Sequence, residues 1–259
     1  MKLVLLRPQE QEGKLPGLLW LHGGGYYEGM AEMVYFSRGR DAAQRFGAVV
    51  VSPEYRLSGT APYPAAIDDC YTALLWLRDH IDELGIDENR IMVGGESAGG
   101  GLCAALCMMA RDRGEVQISF QMPLYPMLDC EDTESSRDNH SMFWNTKKNH
   151  EAWKLYLGEL WGSENVPPYA SPSRQKDYSG LPPCYTFVAD GEPFLCETVK
   201  FVEDLNRAGV PAKVDVFSAD QHAFDAFFPW KKASKDARAA FLKNFGEAIG
   251  VKEEEKKEV

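Results

Sequence analysis

The segment Arg90-Ile91-Met92-Val93-Gly94-Gly95-Glu96-Ser97-Ala98-Gly99-Gly100-Gly101 carries an extended apolar run straight into the helical pattern of Leu102 to Met109. A Gly-x-Ser-x-Gly quintet alone is weak evidence in a chain with 23 glycines. Set between a strand and a helix, it demands a tight turn that leaves the serine at the carboxyl edge of a sheet. Gly95 and Gly99 let the backbone close, because a larger side chain would strike the neighbouring strand or helix. The helix N-terminus also favours negative charge developing beside Ser97. Ser97 is therefore a candidate nucleophile. A helix-capping serine would not need this context, and a dinucleotide loop would need G-x-G-x-x-G, which is absent here.

The rest of the chain repeats the same rhythm. Strands are expected at Lys2–Leu6, Gly17–Leu21, Ala48–Ser52, Arg90–Gly94, Ile118–Leu124, Cys184–Val188 and Lys213–Phe217. Helical periodicity covers Ser37–Phe46, Ala65–Leu84, Ala98–Arg111, Leu195–Ala208 and Ala233–Ile249. Strand then helix, repeated, predicts an α/β fold with a mostly parallel sheet covered on both faces. All 259 residues are expected to form one such domain. Residues 129–177 break the rhythm with a polar start, aromatics such as Phe143, Trp144, Trp153, Tyr156 and Trp161, and a Pro/Ser-rich exit. They read as an excursion from the sheet with one helix near Lys147–Leu160, and 252–259 as a charged tail.

Several function classes are disfavoured. The net charge of −11 shows no clustered positive patch for nucleic acid. No apolar run is long enough for a transmembrane helix, and the N-terminal run is too short for a secretory signal. The six cysteines lack metal-site spacing and read as reduced thiols, so a cytoplasmic location is expected.

Trp20-Leu21-His22-Gly23-Gly24-Gly25-Tyr26-Tyr27 puts three glycines directly after a strand. Acyl transfer passes through a tetrahedral oxyanion that needs backbone N–H donors held in place. The amides of Gly23, Gly24 and Gly25, joined by that of Ala98, are candidate donors. His22 reads as a brace for this loop. Of the other histidines, His80 sits at a charged helix end and His140 and His150 lie in the excursion. His222, just past the last strand, remains as the candidate base. Asp190 and Glu192 follow the penultimate strand, and local chemistry does not choose between them as the acid that orients the imidazole.

With these motifs in order, the chain resembles the hormone-sensitive-lipase-like family of α/β-hydrolases, from about Gly17 to Phe224. The matching stretches are His22-Gly23-Gly24-Gly25, Tyr55-Arg56-Leu57, Pro64-Ala65-Ala66, Glu96-Ser97-Ala98-Gly99-Gly100, Leu124-Tyr125-Pro126 and His222-Ala223-Phe224. In the family the acid lies in Asp-Pro-Leu, about thirty residues before His-Gly-Phe. Glu192-Pro193-Phe194 fits that frame and Asp190 does not, so the resemblance favours Glu192 with Asp190 as alternate.

The resemblance implies an α/β-hydrolase fold and hydrolysis of short acyl esters, acetyl to about hexanoyl, through an acyl-enzyme. No metal or cofactor is implied, and the partner is a small ester. Tyr26, Phe194 and Phe224 are candidate pocket lining. An arylformamidase-like amide hydrolase and a non-catalytic ligand receptor are the competing readings. The family's N-terminal cap has no counterpart in the 21 residues before His22. A missing cap would expose apolar surface and favour a homo-oligomer.

Overall fold

The computed structural model describes residues 1–10 and 13–251; the expected charged tail lies outside the described residues. Seven strands, β1 (Leu3–Leu6), β2 (Leu15–Leu21), β3 (Val49–Pro53), β4 (Ile86–Glu96), β5 (Phe120–Leu124), β6 (Cys184–Ala189) and β7 (Ala212–Phe217), form one sheet in the order β1-β3-β2-β4-β5-β6-β7. Only β1 runs antiparallel to its neighbour. The helices are α1 (Arg38–Phe46), α2 (Ala65–Asp79), α3 (Ile81–Leu84), α4 (Ala98–Arg113), α5 (Thr146–Leu157), α6 (Leu195–Arg207), α7 (Phe224–Phe227) and α8 (Lys232–Ala248).

Two-residue periodicity sorts the strand side chains between two cores. Leu19, Leu21, Val49, Val51 and Val93 pack with residues of α2, α4 and α6. Leu18, Trp20, Val50, Met92 and Phe187 face the other way, against α1 and α8. Trp20 meets Phe241 edge-on, with ring centroids 5.9 Å apart. Both faces of the sheet are therefore covered, as a parallel sheet requires.

The structure corrects several boundaries. The helix expected over Ala65–Leu84 is two helices, broken at His80. The His80 ring stacks on Trp76 and its Nδ1 lies 2.7 Å from the Trp76 carbonyl oxygen, so local pairing replaces the continuing helix. Strand β4 begins four residues early, and its pairing with β2 jumps from Leu15–Ile86 to Gly17–Ile91. The short 3-10 turns at Ala31–Phe36 and Pro172–Arg174, and the single turn α7, lack enough length to show periodicity.

The excursion carries α5 and packs Trp153, Tyr156 and Trp144 into the α2/α4/α6 core. All six cysteines are free thiols. Among the described residues, no helix is long and apolar enough to cross a membrane.

Candidate active site

Ser97 is the single residue between β4 and α4, with φ +58° and ψ −119°. An L-residue pays strain to sit there, so the surroundings must hold it. Its N–H donates to the Leu124 carbonyl at 3.0 Å, and its own carbonyl accepts from Gly101 and Met127, each at 3.0 Å. Close approach then dictates glycine at position 99, where a Cβ would stand 2.1 Å from the Leu21 carbonyl oxygen. Helix α4 is thereby pressed onto the end of β2, where the glycine loop begins.

His222 lies in the loop between β7 and α7. Its Nε2 is 2.8 Å from Ser97 Oγ, and its Nδ1 is 3.1 Å from Glu192 Oε1. All three residues are buried, at 7% exposure for Ser97, 4% for His222 and 1% for Glu192. Burial pushes the Glu192 carboxyl up, and the adjacent imidazole opposes that shift. The Phe194 and Tyr125 rings meet His222 edge-on at 4.9 and 5.1 Å, fixing the imidazole plane.

Asp190, the alternate acid, does not reach His222. It is exposed, and its Oδ1 accepts the Ala219 N–H at 3.0 Å, tying the loop after β6 to the loop after β7. His80, His140 and His150 are remote from Ser97 in their bonding: His140 pairs with Asp138 and His150 with Asp132.

The glycine loop folds back on itself through Tyr27 and Glu28 N–H groups donated to the Gly24 carbonyl. Gly23 lies against the turn that carries Ser97, since a Cβ built on it would stand 3.3 Å from the Ser97 Cβ. Ala98 opens α4, leaving its N–H without an intrahelical acceptor. His22 braces the loop: its Nδ1 is 2.8 Å from the Gly23 oxygen and its ring stacks on Tyr55 at 4.1 Å. Burial lowers the His22 pKa, keeping the ring neutral.

The expected pocket lining needs correction. Tyr26 is 1% exposed, stacks on Tyr156 at 3.9 Å and donates its hydroxyl to the Met127 carbonyl. Phe224 packs beneath the sheet edge against Phe187 and Phe217. Phe194 is fully buried against His222 and Trp144. Each is consumed by packing and has no surface to offer a substrate.

The side chain that does roof this region is Trp144. It lies 6.2 Å from the His222 ring and touches Gly25, where a Cβ would fall 2.3 Å from its Cη2. In the sequence it stands among the aromatics of the excursion, which are further candidates for pocket lining. Glu197 carried no signal at all. It is buried in α6 and accepts the Leu128 and Asp129 N–H groups at 2.6 and 3.2 Å, and burial raises its pKa well above the usual range.

Among the described residues, no group of three or more His, Cys, Asp or Glu side chains could hold a metal ion. A carboxylate-oriented imidazole on a strained serine, beside free amides, is an arrangement suited to acyl transfer.

Comparison with known proteins places the chain in a family. A family-wide sequence profile for the alpha/beta hydrolase fold matches residues 18–226. The esterase LipI of Mycobacterium tuberculosis is 34% identical over 205 residues, covering 78% of this chain and 63% of LipI. The carboxylesterase NlhH of the same species is 32% identical over 211 residues, covering 80% of this chain and 66% of its own length. The chain thus spans just under two thirds of these relatives. The solved structure of a bacterial heroin esterase superposes with TM-score 0.90 at 34% identity, covering 95% of this chain and 78% of that one. Esterase LipW from Mycobacterium marinum gives TM-score 0.87 at 27% identity, covering 96% and 77%. This chain belongs to the alpha/beta hydrolase fold family, in its hormone-sensitive-lipase-like branch.

Proposed function

We propose that this chain is a serine carboxylesterase that hydrolyses short-chain acyl esters, acetyl to about hexanoyl, through an acyl-enzyme. One observation carries the reading: the unbroken series Ser97 Oγ, His222 Nε2, His222 Nδ1 and Glu192 Oε1, with separations of 2.8 and 3.1 Å. Relatives named as esterases and a carboxylesterase support the reaction class.

With Nδ1–H donated to Glu192, the imidazole presents Nε2 to accept the Ser97 proton. Ser97 Oγ then attacks the ester carbonyl carbon, and the carbonyl oxygen takes the negative charge. The amides of Gly23, Gly24, Gly25 and Ala98 are the donors for that oxyanion, each such donor typically worth ~3 kcal/mol in the transition state. His222 returns the proton to the departing alcohol. It next takes a proton from water, which attacks the acyl carbon; that adduct then breaks its bond to Ser97 Oγ, which recovers the proton from His222 as the acid leaves. Glu192 stabilises the imidazolium formed in each half-reaction.

Stopped-flow release of nitrophenol from 4-nitrophenyl acetate tests the scheme. The intact protein is expected to show a burst, and Ser97→Ala to lose more than about 10⁴-fold in turnover. Full activity in Ser97→Ala would overturn the reading. Faster turnover of a matched aryl formamide than of the ester would favour the amide hydrolase. Tight ligand binding with no acylation would favour a receptor.

A further inference from the structure

The nucleophile and the base sit on different segments, and one buried cation joins them. Arg38, at the first position of α1, is 7% exposed. Its backbone N–H donates to Glu96 Oε1 at 3.2 Å, and Glu96 immediately precedes Ser97. Its guanidinium Nε lies 3.2 Å from Asp225 Oδ2, three residues after His222. Its Nη1 donates to Asp41 at 2.5 Å, and Asp41 also accepts two bonds from Arg238 of α8. Asp225 also faces the Tyr125 phenol, whose ring lies against the His222 imidazole.

Asp41 and Asp225 thus meet the buried Arg38 guanidinium, Asp225 as an ion pair, while Glu96 accepts the Arg38 backbone N–H and the half-exposed Arg238 side chain reaches Asp41 from the solvent side. Burial disfavours charge on Arg38, but Asp225, Asp41 and Glu96 outweigh it and hold the guanidinium charged. A surface pair would contribute little, whereas an unmatched charge in such a setting forces its neighbours to move. The segments that would move are those carrying Ser97 and His222. No direct bond other than the Ser97–His222 contact itself connects these two side chains.

We propose that Arg38 is a positioning residue for the esterase reaction, clamping the strand end that carries Ser97 to the turn that carries His222. The inference rests on the reading of those two residues as nucleophile and base. Arg38 touches no reacting atom. It acts by holding Oγ and Nε2 within proton-transfer distance, and its α1 backbone N–H and its guanidinium grip opposite sides of that contact. A planar fork suits two carboxylates at once, which a lysine ammonium does not.

The experiment compares wild type, Arg38→Met, Arg38→Lys, Asp225→Asn and Ser97→Ala on 4-nitrophenyl acetate, with kcat and KM measured separately. The rate of Ser97 phosphonylation by a 4-nitrophenyl phosphonate gives a second readout of nucleophile activation. Misplacement by an ångström typically costs about 10²-fold, so Arg38→Met should lose about that much in kcat and in phosphonylation. KM should stay within about threefold, since no substrate contact is removed. Arg38→Lys should recover part of the loss.

A folded Arg38→Met protein with kcat within about twofold of wild type, or with its defect confined to KM, overturns the proposal. If Arg38→Met does not fold, Asp225→Asn decides, since it keeps shape while weakening the clamp. A kcat loss of about tenfold or more supports the proposal, and an unchanged kcat overturns it. Full activity in Ser97→Ala overturns the underlying triad reading instead, a result the clamp variants cannot mimic.

Discussion

His222 Nδ1 lies 3.1 Å from Glu192 Oε1, while Asp190, two residues closer to the end of β6, bonds the Ala219 amide instead. The longer glutamate side chain bridges from a loop set back from the histidine, and its burial keeps water from competing for the imidazole N–H. Glu192→Gln should therefore lower kcat/KM by roughly 10³-fold, by presenting a donor where an anion is required. Asp190→Asn should retain activity within about threefold, since its amide oxygen can still accept the Ala219 N–H. The reverse order of effects in steady-state kinetics would make Asp190 the acid.

Glu96 links stability to pH. Loss of hydration and the nearby Asp225 carboxylate push it from 4.5 up to about 7, against the pull of Arg38. The folded state therefore holds this proton to higher pH than the unfolded chain does. Its contribution is fully present below pH 4.5 and is lost as pH rises through 7. Glu96→Gln mimics the protonated form and escapes that loss. Relative to wild type it should gain at most about 3 kcal/mol between pH 4.5 and pH 8, less whatever its partial exposure screens. Urea titrations of both proteins across that window measure the difference, and a flat difference would remove Glu96 as its source.

Ala223 occupies the left-handed region, with φ +54° and ψ 35°, directly after His222. A Cβ there is strained, and glycine relieves that strain at the cost of a more flexible unfolded chain. Ala223→Gly should stabilise the protein by about 0.5 kcal/mol, whereas the same change inside a helix costs about 1 kcal/mol. Thermal unfolding decides the sign, and a lower Tm would show that the strain is absent.

Trp144 covers the glycine loop beside His222. Trp144→Leu should open that side and raise the ratio of kcat/KM for 4-nitrophenyl octanoate over acetate by about tenfold. It should also lower stability by about 2 kcal/mol, because a large buried ring is replaced by a smaller side chain. An unchanged chain-length profile in a folded variant would show that Trp144 does not limit the acyl group.

The features legible in sequence were those encoded locally. Ser97 stood out because a strand, a Gly-x-Ser-x-Gly turn and a helix are contiguous, and Gly99 must be glycine for reasons confined to that crossing. The glycine loop was legible for the same reason. The parallel sheet followed from alternating periodicities, with errors where a segment was too short or, as at His80, where a side chain bonded its own helix. His222 emerged by elimination, and Glu192 only through its thirty-residue spacing within a family resemblance.

Tertiary structure alone decided what depends on distance between remote segments. Spacing could not show that Asp190 turns to the Ala219 amide, nor that Tyr26 and Phe224 are spent on packing. Trp144 is 47 residues from Ser97 yet lies beside His222, and Arg38 is 187 residues from Asp225 yet contacts both it and Glu96, the near neighbours of His222 and Ser97 in sequence. Periodicity and turn chemistry act over a few residues, so sequence specifies the elements that carry the reactive groups. The packing of those elements against one another specifies which groups meet, and burial then sets their charge.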